Sequence, residues 1–225
     1  MIEWFHTFDF PEFKTEGKDD SPLKLRAIHM PEDLKGMSVL DIGTWDGYFA
    51  FSAEKRGAER ILAIDSYAWQ DEFKYTHPAL IPTFSDPERK GFEHAKKILN
   101  SKVEFREMNL MDLKEKFDLV LCLGVLYHVK DPWTLINHLG DITKKMLIIE
   151  THTDGNYLNI PAMIFYPDGL GIWSETWGLN FVDHSTYWGM NVICVVNMLK
   201  KAGFKDIQII NYSENSKRIC VHAFK

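Results

Sequence analysis

The 225-residue sequence contains few cysteines, few arginines and no long apolar run, and each shortage excludes a class of protein. Its three cysteines, Cys122, Cys194 and Cys220, are odd in number and widely spaced, which favours free thiols over a disulfide framework. The longest apolar run, 119–127, is far shorter than the roughly 20 residues of a membrane-spanning helix. The first residues also lack the basic and apolar regions of a secretory signal. We therefore expect a cytoplasmic protein without membrane contact.

The charge balance argues against a long nucleic-acid surface. The chain carries a formal net charge of −6, and only six of its 26 basic residues are arginine. Binding along a phosphate backbone needs clustered lysine and arginine, which an acidic chain supplies at most as a local patch. The nine histidines and three cysteines show no pair at metal-ligand spacing, so no metal site is predicted.

One stretch, residues 38–47, has the pattern of a ligand-binding turn. A short apolar run closes on Asp41, Gly43 and Gly47 stand four residues apart, and an amphipathic segment begins at Tyr48. This order predicts a buried parallel strand that turns tightly into a helix. Open α/β sheets bind ligands at the carboxyl ends of such strands, so a ligand is expected here. A purely structural turn is the alternative, because short glycine motifs have many false positives.

The rest of the chain continues the alternation of strands and helices that defines an α/β fold. Helical patterns separate the apolar strands predicted at 38–42, 61–64, 103–107, 117–122 and 146–149. The last two predicted strands, 207–210 and 218–224, are joined by a short connection, which indicates an antiparallel C-terminal hairpin. The sequence therefore predicts a doubly wound, seven-stranded, Rossmann-like sheet.

Three segments fall outside this alternation. Residues 1–37 are rich in aromatic and polar side chains and predict an arm or lid, with a short helix within 22–30. Residues 38–225 then form the ligand-binding domain, with insertions at about 67–85 and 151–190. The insertions are too long for ordinary connections, so functional lids are predicted. Either an acceptor pocket or the core of a lid accounts for the aromatic residues Trp173, Trp177, Tyr187 and Trp188.

The identity of the residue between the two glycines bears on the ligand. A dinucleotide-binding turn has a second glycine two residues after the first, where the pyrophosphate approaches the backbone. Here that position holds Trp45, whose indole argues against NAD or FAD and hence against a nicotinamide oxidoreductase. Asp65 closes the second strand, 22 residues past Gly43, and is placed to accept hydrogen bonds from ribose hydroxyls. A solvated helix cap is the alternative role for Asp65.

Together these residues resemble the S-adenosylmethionine (SAM) methyltransferases of the Rossmann-like class, over about residues 37–150 and with a compatible C-terminal hairpin. The resemblance implies that the methionine end of SAM lies against the turn that contains Asp41, Gly43, Trp45 and Gly47. A sulfonium ligand is a cation, so an acidic turn suits it better than a basic one.

The same resemblance implies positions for the rest of the cofactor. It places the ribose at Asp65, which Ser66 follows, and the adenine beside Asn109 and Leu110. No further cofactor is implied.

A sharper resemblance begins at residues 117–128, which end in Gly-Val-Leu-Tyr-His, and continues through Asp131-Pro132. This run is similar to the branch that contains the tRNA wobble-uridine carboxymethyltransferases and their smaller, mostly uncharacterised relatives. The resemblance implies that Leu123, Gly124 and Tyr127 line the reactive end of the cofactor. The tRNA enzymes have a larger N-terminal extension and pair the extra carboxylate of carboxy-SAM with basic side chains. Arg218 is one candidate for such a side chain, but ordinary SAM is expected here.

Three polar residues at strand ends are candidates for acceptor chemistry. His128 follows the fourth strand and is either a general base or a structural histidine. Glu150 and His152 end the fifth strand and either bind or deprotonate the acceptor, or are merely solvated. The weaker candidates are His6, in the arm, and Asp183 and His184, in the second insertion.

The predicted function is SAM-dependent methyl transfer to a small molecule or glycan, at oxygen. One alternative is a tRNA wobble-uridine methyl- or carboxymethyltransferase, which the acidic charge does not favour. Another is a SAM-binding protein without catalysis. The acceptor and the oligomeric state are not encoded in any pattern of this sequence.

Overall fold

The computed structural model describes residue 2 and residues 4–66, 89–174, 179–214 and 217–225, with side chains for all of these except 172–174 and 179–181. The predicted insertion at 67–85 therefore lies outside the described residues, as do Trp177 and the side chain of Trp173. Within the described ranges no helix is long and apolar enough to cross a bilayer.

Seven strands form the central sheet. They are β1 (Ser38–Ile42), β2 (Arg60–Asp65), β3 (Glu104–Glu107), β4 (Phe117–Leu123), β5 (Thr143–His152), β10 (Asp206–Ser213) and β11 (Arg218–Phe224). Their order is β10-β11-β5-β4-β1-β2-β3. The strands β1 to β5 pair in parallel, whereas β11 is antiparallel to both β5 and β10. The predicted doubly wound sheet with a C-terminal hairpin is confirmed.

Helices cover both faces of this sheet, which is why its inner strands are nearly continuous apolar runs. The described helices are α1 (Ser21–Ala27), α2 (Tyr48–Lys55), α3 (Lys90–Ile98), α4 (Pro132–Ile142) and α5 (Val192–Lys201). Along β1, Leu40 packs into one apolar layer with residues of α4 and α5. Val39 packs into the opposite layer with Phe49 of α2 and Phe92 of α3.

Two of the helices begin at capping hydrogen bonds. The Asp131 carboxylate accepts from the backbone N–H of Thr134 at 3.0 Å. The Asn191 amide oxygen accepts from the N–H of Cys194 at 2.8 Å, which starts α5. These bonds satisfy N–H groups that have no partner within the first turn of a helix.

The N-terminal arm, residues 4–20, is irregular and folds against α2. Its aromatic side chains form the contact: the rings of Phe8 and Phe10 stack at 5.0 Å, and Phe8 reaches Phe51 at 6.3 Å. The predicted short helix follows the arm as α1. A function of the arm as a lid stays a prediction.

The second insertion is built from two small antiparallel pairs. Strand β6 (Met163–Phe165) pairs with β9 (Trp188–Met190), and β7 (Leu170–Ser174) pairs with β8 (Leu179–Asp183). Asn191 ties the preceding loop to α5, because its side chain also donates to the Ile160 carbonyl at 2.7 Å. The insertion begins where β5 ends, at the carboxyl edge of the sheet, and this contact joins it to the start of α5.

Candidate active site

The turn after β1 holds its shape through its own sequence. Gly43 and Gly47 have φ of +68° and +86°, a region that side chains other than glycine rarely adopt. A Cβ at Gly43 would stand 2.8 Å from the Val125 side chain, and one at Gly47 would stand 2.6 Å from Phe51. Both glycines are thus explained by backbone conformation and close packing.

Two buried carboxyl groups brace this turn. Asp41 is 2% exposed and accepts from the Thr44 hydroxyl at 2.7 Å, while burial raises its pKa to about 7. Asp65 is 5% exposed and accepts from the backbone N–H of Trp45 at 3.1 Å. Trp45 itself has a φ of +50°, which is uncommon for a bulky residue. The Asp65 bond stabilises that conformation, a role that the spacing of the sequence does not reveal.

The other predicted cofactor residues lie along the same sheet edge, because β1, β2, β3 and β4 are parallel neighbours. Ser66 is exposed after β2. Asn109 follows β3, and its side chain accepts from the N–H of Met111 at 2.9 Å. Leu110 and Leu123 are each 9% exposed at the ends of the core. Side-chain contacts of these residues with a cofactor remain predictions.

Four residues converge at the ends of β4 and β5. The Gly124 N–H donates to the Glu150 carbonyl at 2.9 Å. A Cβ on Gly124 would stand 3.6 Å from the Tyr127 hydroxyl, 3.7 Å from Arg218 Nη2 and 3.9 Å from Glu150 Oε2. The predicted reactive end of the cofactor site is thus ringed by a phenol, a carboxylate and a guanidinium.

Glu150 forms an ion pair, and this pairing argues against its predicted role as a base. Arg218 binds it through two parallel bonds, from Nε to Oε1 and from Nη2 to Oε2 at 2.5 Å. Lys24 of α1 adds a second cation, with Nζ 3.9 Å from Oε2. Burial alone would raise the pKa of Glu150, but the charges of Arg218 and Lys24 hold it below its ordinary value. A carboxylate so stabilised is a weak proton acceptor.

His128 is held in one tautomer by the second insertion. Its Nδ1 lies 2.9 Å from the Ser185 carbonyl oxygen, which can only accept, so Nδ1 carries the proton. The Ser185 hydroxyl donates to Asp183 at 2.5 Å and therefore accepts from the same Nδ1 at 3.0 Å. Burial lowers the pKa of His128, so the ring is neutral and Nε2 is its unprotonated nitrogen. A neutral imidazole of this kind is chemically able to accept a proton, and its role as a general base stays a prediction.

His152 is held in the opposite tautomer by a chain of three groups. The Tyr166 hydroxyl donates its only proton to Asp154 at 2.7 Å, and Lys217 lies 3.2 Å from the same carboxylate. Tyr166 must therefore accept from His152, whose Nε2 is 3.2 Å away. Burial lowers the pKa of His152 to about 4, which leaves its Nδ1 as the unprotonated nitrogen.

Asp46 anchors the arm to the turn. Helix α2 begins at Tyr48 without a side-chain cap. Asp46 instead accepts from the backbone N–H groups of Phe5 and His6 at 2.7 and 2.9 Å. The Phe5 ring also lies 4.8 Å from that of Trp45. The arm thus packs directly on the predicted methionine end of the site.

Replacing Asp46 with alanine is expected to release the arm. One buried and one partly buried N–H group would lose their acceptor, and an unsatisfied buried group costs roughly 1–3 kcal/mol. Hydrogen exchange should therefore accelerate across residues 4–9. Asp33→Ala is the matched control, because this exposed carboxylate also accepts from a backbone N–H, that of Lys35 at 3.0 Å. Equal protection of residues 4–9 from hydrogen exchange in both variants would contradict the role of Asp46 as the anchor of the arm.

His6 belongs to the arm and is buried, with 4% of its surface exposed. Its Nδ1 has no hydrogen-bond partner among the described residues and lies 3.9 Å from Asp46. Burial lowers the pKa of His6 to about 3, so the ring is neutral. Its aromatic neighbours, such as Phe49 at 5.6 Å, explain its place as a packing residue.

A family model described as a methyltransferase domain matches residues 19–209 of the chain. Among curated proteins, the tRNA U34 carboxymethyltransferase of Helicobacter acinonychis (strain Sheeba) is 26% identical over 159 residues, which is 65% of this chain and 54% of that protein. The ubiquinone biosynthesis O-methyltransferase of Neisseria meningitidis serogroup C (strain 053442) is 30% identical over 137 residues, which is 59% of this chain and 50% of that protein. The chain thus spans about half the length of these curated relatives.

Solved structures share the fold at low sequence identity. The N-terminal domain of EvdMO1, crystallised with S-adenosylhomocysteine (SAH) bound, matches with a TM-score of 0.66 and 19% identity, over 98% of this chain and 91% of that one. The same domain, solved in the presence of SAH and D-fucose, matches with a TM-score of 0.65 and 20% identity, over the same shares of the two chains. Magnesium protoporphyrin IX methyltransferase from Synechocystis PCC 6803 with bound SAM matches with a TM-score of 0.57 and 16% identity. The match covers 91% of this chain and 77% of that one.

Proposed function

The chain belongs to the family of SAM-dependent methyltransferases, and from that premise we propose that it methylates a hydroxyl oxygen of a small-molecule or glycan acceptor, with His128 as the general base. The observation that carries this proposal is the hydrogen bond from His128 Nδ1 to the Ser185 carbonyl. It leaves Nε2 unprotonated, close in sequence to Gly124. A hydroxyl group must lose its proton as its oxygen attacks the methyl carbon, and a positioned base accelerates such a step about 10²- to 10⁴-fold.

The cofactor would lie across the carboxyl ends of β1 to β4. The methionine end is proposed at the turn of Asp41 and Gly43, and the sulfonium near Gly124 and Tyr127. Buried carboxyl groups support a cationic ligand here, because Asp41 has a pKa near 7 and ionises readily beside a positive charge. The arm closes this end through Phe5.

Asp65→Ala is expected to weaken SAH binding about 10- to 100-fold. The proposed hydrogen bonds from the ribose hydroxyls to a charged carboxylate are worth roughly 1.5–3 kcal/mol, and the bond to the Trp45 N–H would also be lost. Calorimetry on nucleotide-free protein measures the affinity. Asp33→Ala, which alters an exposed carboxylate far from β2 in sequence, should bind like the wild type. An unchanged affinity of Asp65→Ala for SAH would show that Asp65 does not contact the cofactor.

Ordinary SAM is proposed over carboxy-SAM because the guanidinium of Arg218 already holds a carboxylate. Both of its forked bonds go to Glu150. A second carboxylate on the transferred group would compete with Glu150 and be repelled by it. The mass of the product distinguishes a methyl group from a carboxymethyl group in one measurement.

The pH dependence of turnover should reflect buried, neutral histidines. Burial lowers the pKa of His128 below its ordinary value of about 6.5, so the basic form persists as the pH falls through that value. Activity is therefore expected to be retained at pH 6.5 and lost only at lower pH, as the lowered pKa is crossed. A profile of kcat against pH at saturating SAM, where the bound cation keeps Asp41 ionised, with a half-maximum at or above 6.5 would contradict a buried His128 base.

Two comparisons bear on the acceptor. The EvdMO1 domain was solved with a sugar present, and one curated relative is an O-methyltransferase, which supports a hydroxylated small molecule. Modification of tRNA is the second candidate, because several curated relatives are tRNA U34 carboxymethyltransferases. A deletion strain with an unchanged profile of modified tRNA nucleosides would exclude that candidate.

A further inference from the structure

The turn between β8 and β9, residues 183–187, is docked on the loop that follows β4. The Tyr187 N–H donates to the Tyr127 carbonyl at 2.9 Å. Nδ1 of His128 donates to the Ser185 carbonyl, also at 2.9 Å. These two contacts fix the turn against the loop that carries the proposed base.

One carboxylate organises this turn. Asp183 accepts three hydrogen bonds, from the N–H of Ser185 at 3.0 Å, from the Ser185 hydroxyl at 2.5 Å and from the Thr186 hydroxyl at 2.8 Å. Because the Ser185 hydroxyl gives its only proton to Asp183, its oxygen faces Nδ1 of His128 as an acceptor, at 3.0 Å. A single hydroxyl thus separates the negative charge from the imidazole.

The two charged side chains that act on His128 have opposite effects. Burial lowers the pKa of His128 most, while the carboxylate of Asp183 raises this pKa and the guanidinium of Arg218 lowers it. The charge of Arg218 is itself matched by Glu150, to which both of its forked bonds go. Of the two side chains, Asp183 is therefore the one that favours a positive charge on the histidine ring.

The proposed reaction creates such a charge. The O–H bond of the acceptor breaks and its proton passes to Nε2 of His128, while the oxygen lone pair forms the bond to the methyl carbon. The C–S bond breaks with its electrons going to sulfur, which yields SAH. The imidazole becomes an imidazolium that keeps its proton on Nδ1. A carboxylate within about 4–6 Å favours the charged form of such a ring.

We propose that Asp183 is a positioning residue for His128, which holds the Ser185 hydroxyl against Nδ1 and stabilises the imidazolium formed in the transfer. This inference rests on the proposed function and adds to it the group that balances the charge of the proton taken up. The Ser185 carbonyl fixes the tautomer, whereas the Asp183 carboxylate raises the basicity of the ring. Substitutions can separate these two contributions.

A pH titration of histidine-labelled protein by nitrogen-15 NMR measures the pKa of His128 without an acceptor. Asp183→Asn keeps an amide oxygen that can accept from Ser185 but removes the charge, so this pKa should fall by about one pH unit. Asp183→Glu retains the charge and should keep the pKa closer to that of the wild type. Ser185→Ala keeps the backbone carbonyl and the charge, and should give a smaller fall than Asp183→Asn.

Asp118→Asn is the matched control. Asp118 also accepts from the N–H and the hydroxyl of one serine, Ser38, at 3.0 and 2.6 Å. It lies on β4 at the end opposite to His128, so its replacement should leave the pKa of His128 unchanged. The direction of the change separates charge from structure, because a turn that merely came loose would expose His128 and raise its pKa toward 6.5.

A pKa of His128 that rises or stays constant in Asp183→Asn would overturn the role of Asp183. An equal fall in Asp183→Glu or in Asp118→Asn would do the same. The proposed function would survive either result, because it depends on turnover by His128. Full turnover after replacement of His128 itself would instead remove the proposed base, and this inference with it.

Discussion

Replacing His128 with asparagine is expected to lower kcat about 10²- to 10⁴-fold while SAH binding persists. The reason lies in the tautomer: the Nδ1 proton is donated to the Ser185 carbonyl, so Nε2 is the nitrogen left to serve as the proposed proton acceptor. An asparagine amide has no nitrogen that can take up a proton in this role. SAH release under saturating acceptor measures kcat, and calorimetry checks the cofactor site.

His29→Asn is the matched control for this variant. His29 is exposed and has a φ of +48°, a conformation that asparagine adopts readily, so the fold should be unaffected. The His29 variant is expected to turn over like the wild type. A kcat for His128→Asn within threefold of the control would assign His128 a structural role and move the search for a base to His152.

Replacing Arg218 with methionine is expected to destabilise the fold by about 3–5 kcal/mol. The change leaves the Glu150 carboxylate, 6% exposed as a residue, with only the more distant Lys24 as a counter-ion. Converting Glu150 to glutamine in the same chain removes the buried charge and should recover much of the loss. Denaturant unfolding of the two single variants and the double variant measures this coupling.

An exposed ion pair provides the control for Arg218. Arg106 bonds to Glu104 at 2.8 Å and to Glu115, but each of these side chains is more than one-third exposed. Arg106→Met should therefore cost at most about 1 kcal/mol, as surface pairs do. Equal losses for the two arginine variants would show that the Glu150 pair is solvated in solution. Because the pKa of Glu150 is lowered in the fold, its contribution to stability should be present at neutral pH and lost as the pH falls through that pKa.

The sheet and its ligand-binding edge were predictable because local patterns encode them. Apolar runs mark strands that are buried on both faces, and Asp131 and Asn191 mark helix starts through their own side chains. The positions of His128 and His152 near the ends of β4 and β5 follow from the same alternation. A residue that follows a parallel strand lies at the carboxyl edge, whatever its partners are.

The partners of these histidines were not predictable. Ser185 lies 57 residues from His128 in the chain, and Tyr166 lies 14 residues from His152. Both belong to the second insertion, whose spacing matches neither a helix nor a regular strand over its length. Such contacts arise from tertiary packing, which a periodic pattern does not carry. The same applies to Lys24, whose approach to Glu150 depends on how α1 docks.

Asp46 makes a contact that its place in the sequence does not reveal. An acid just before a helix usually caps it. Gly47 in a left-handed conformation turns the chain so that the Asp46 carboxylate meets the arm instead. The structure thereby connects the arm to the cofactor turn, a link of 40 residues in sequence to His6.

Nitrogen-15 NMR of histidine-labelled protein at neutral pH tests the central claim most directly, because it reports tautomers without requiring an acceptor. With assignments from single histidine replacements, His128 is predicted to be neutral with its proton on Nδ1. His152 is predicted to be neutral with its proton on Nε2. Either ring in the opposite tautomer, or protonated on both nitrogens, would contradict the account of the site.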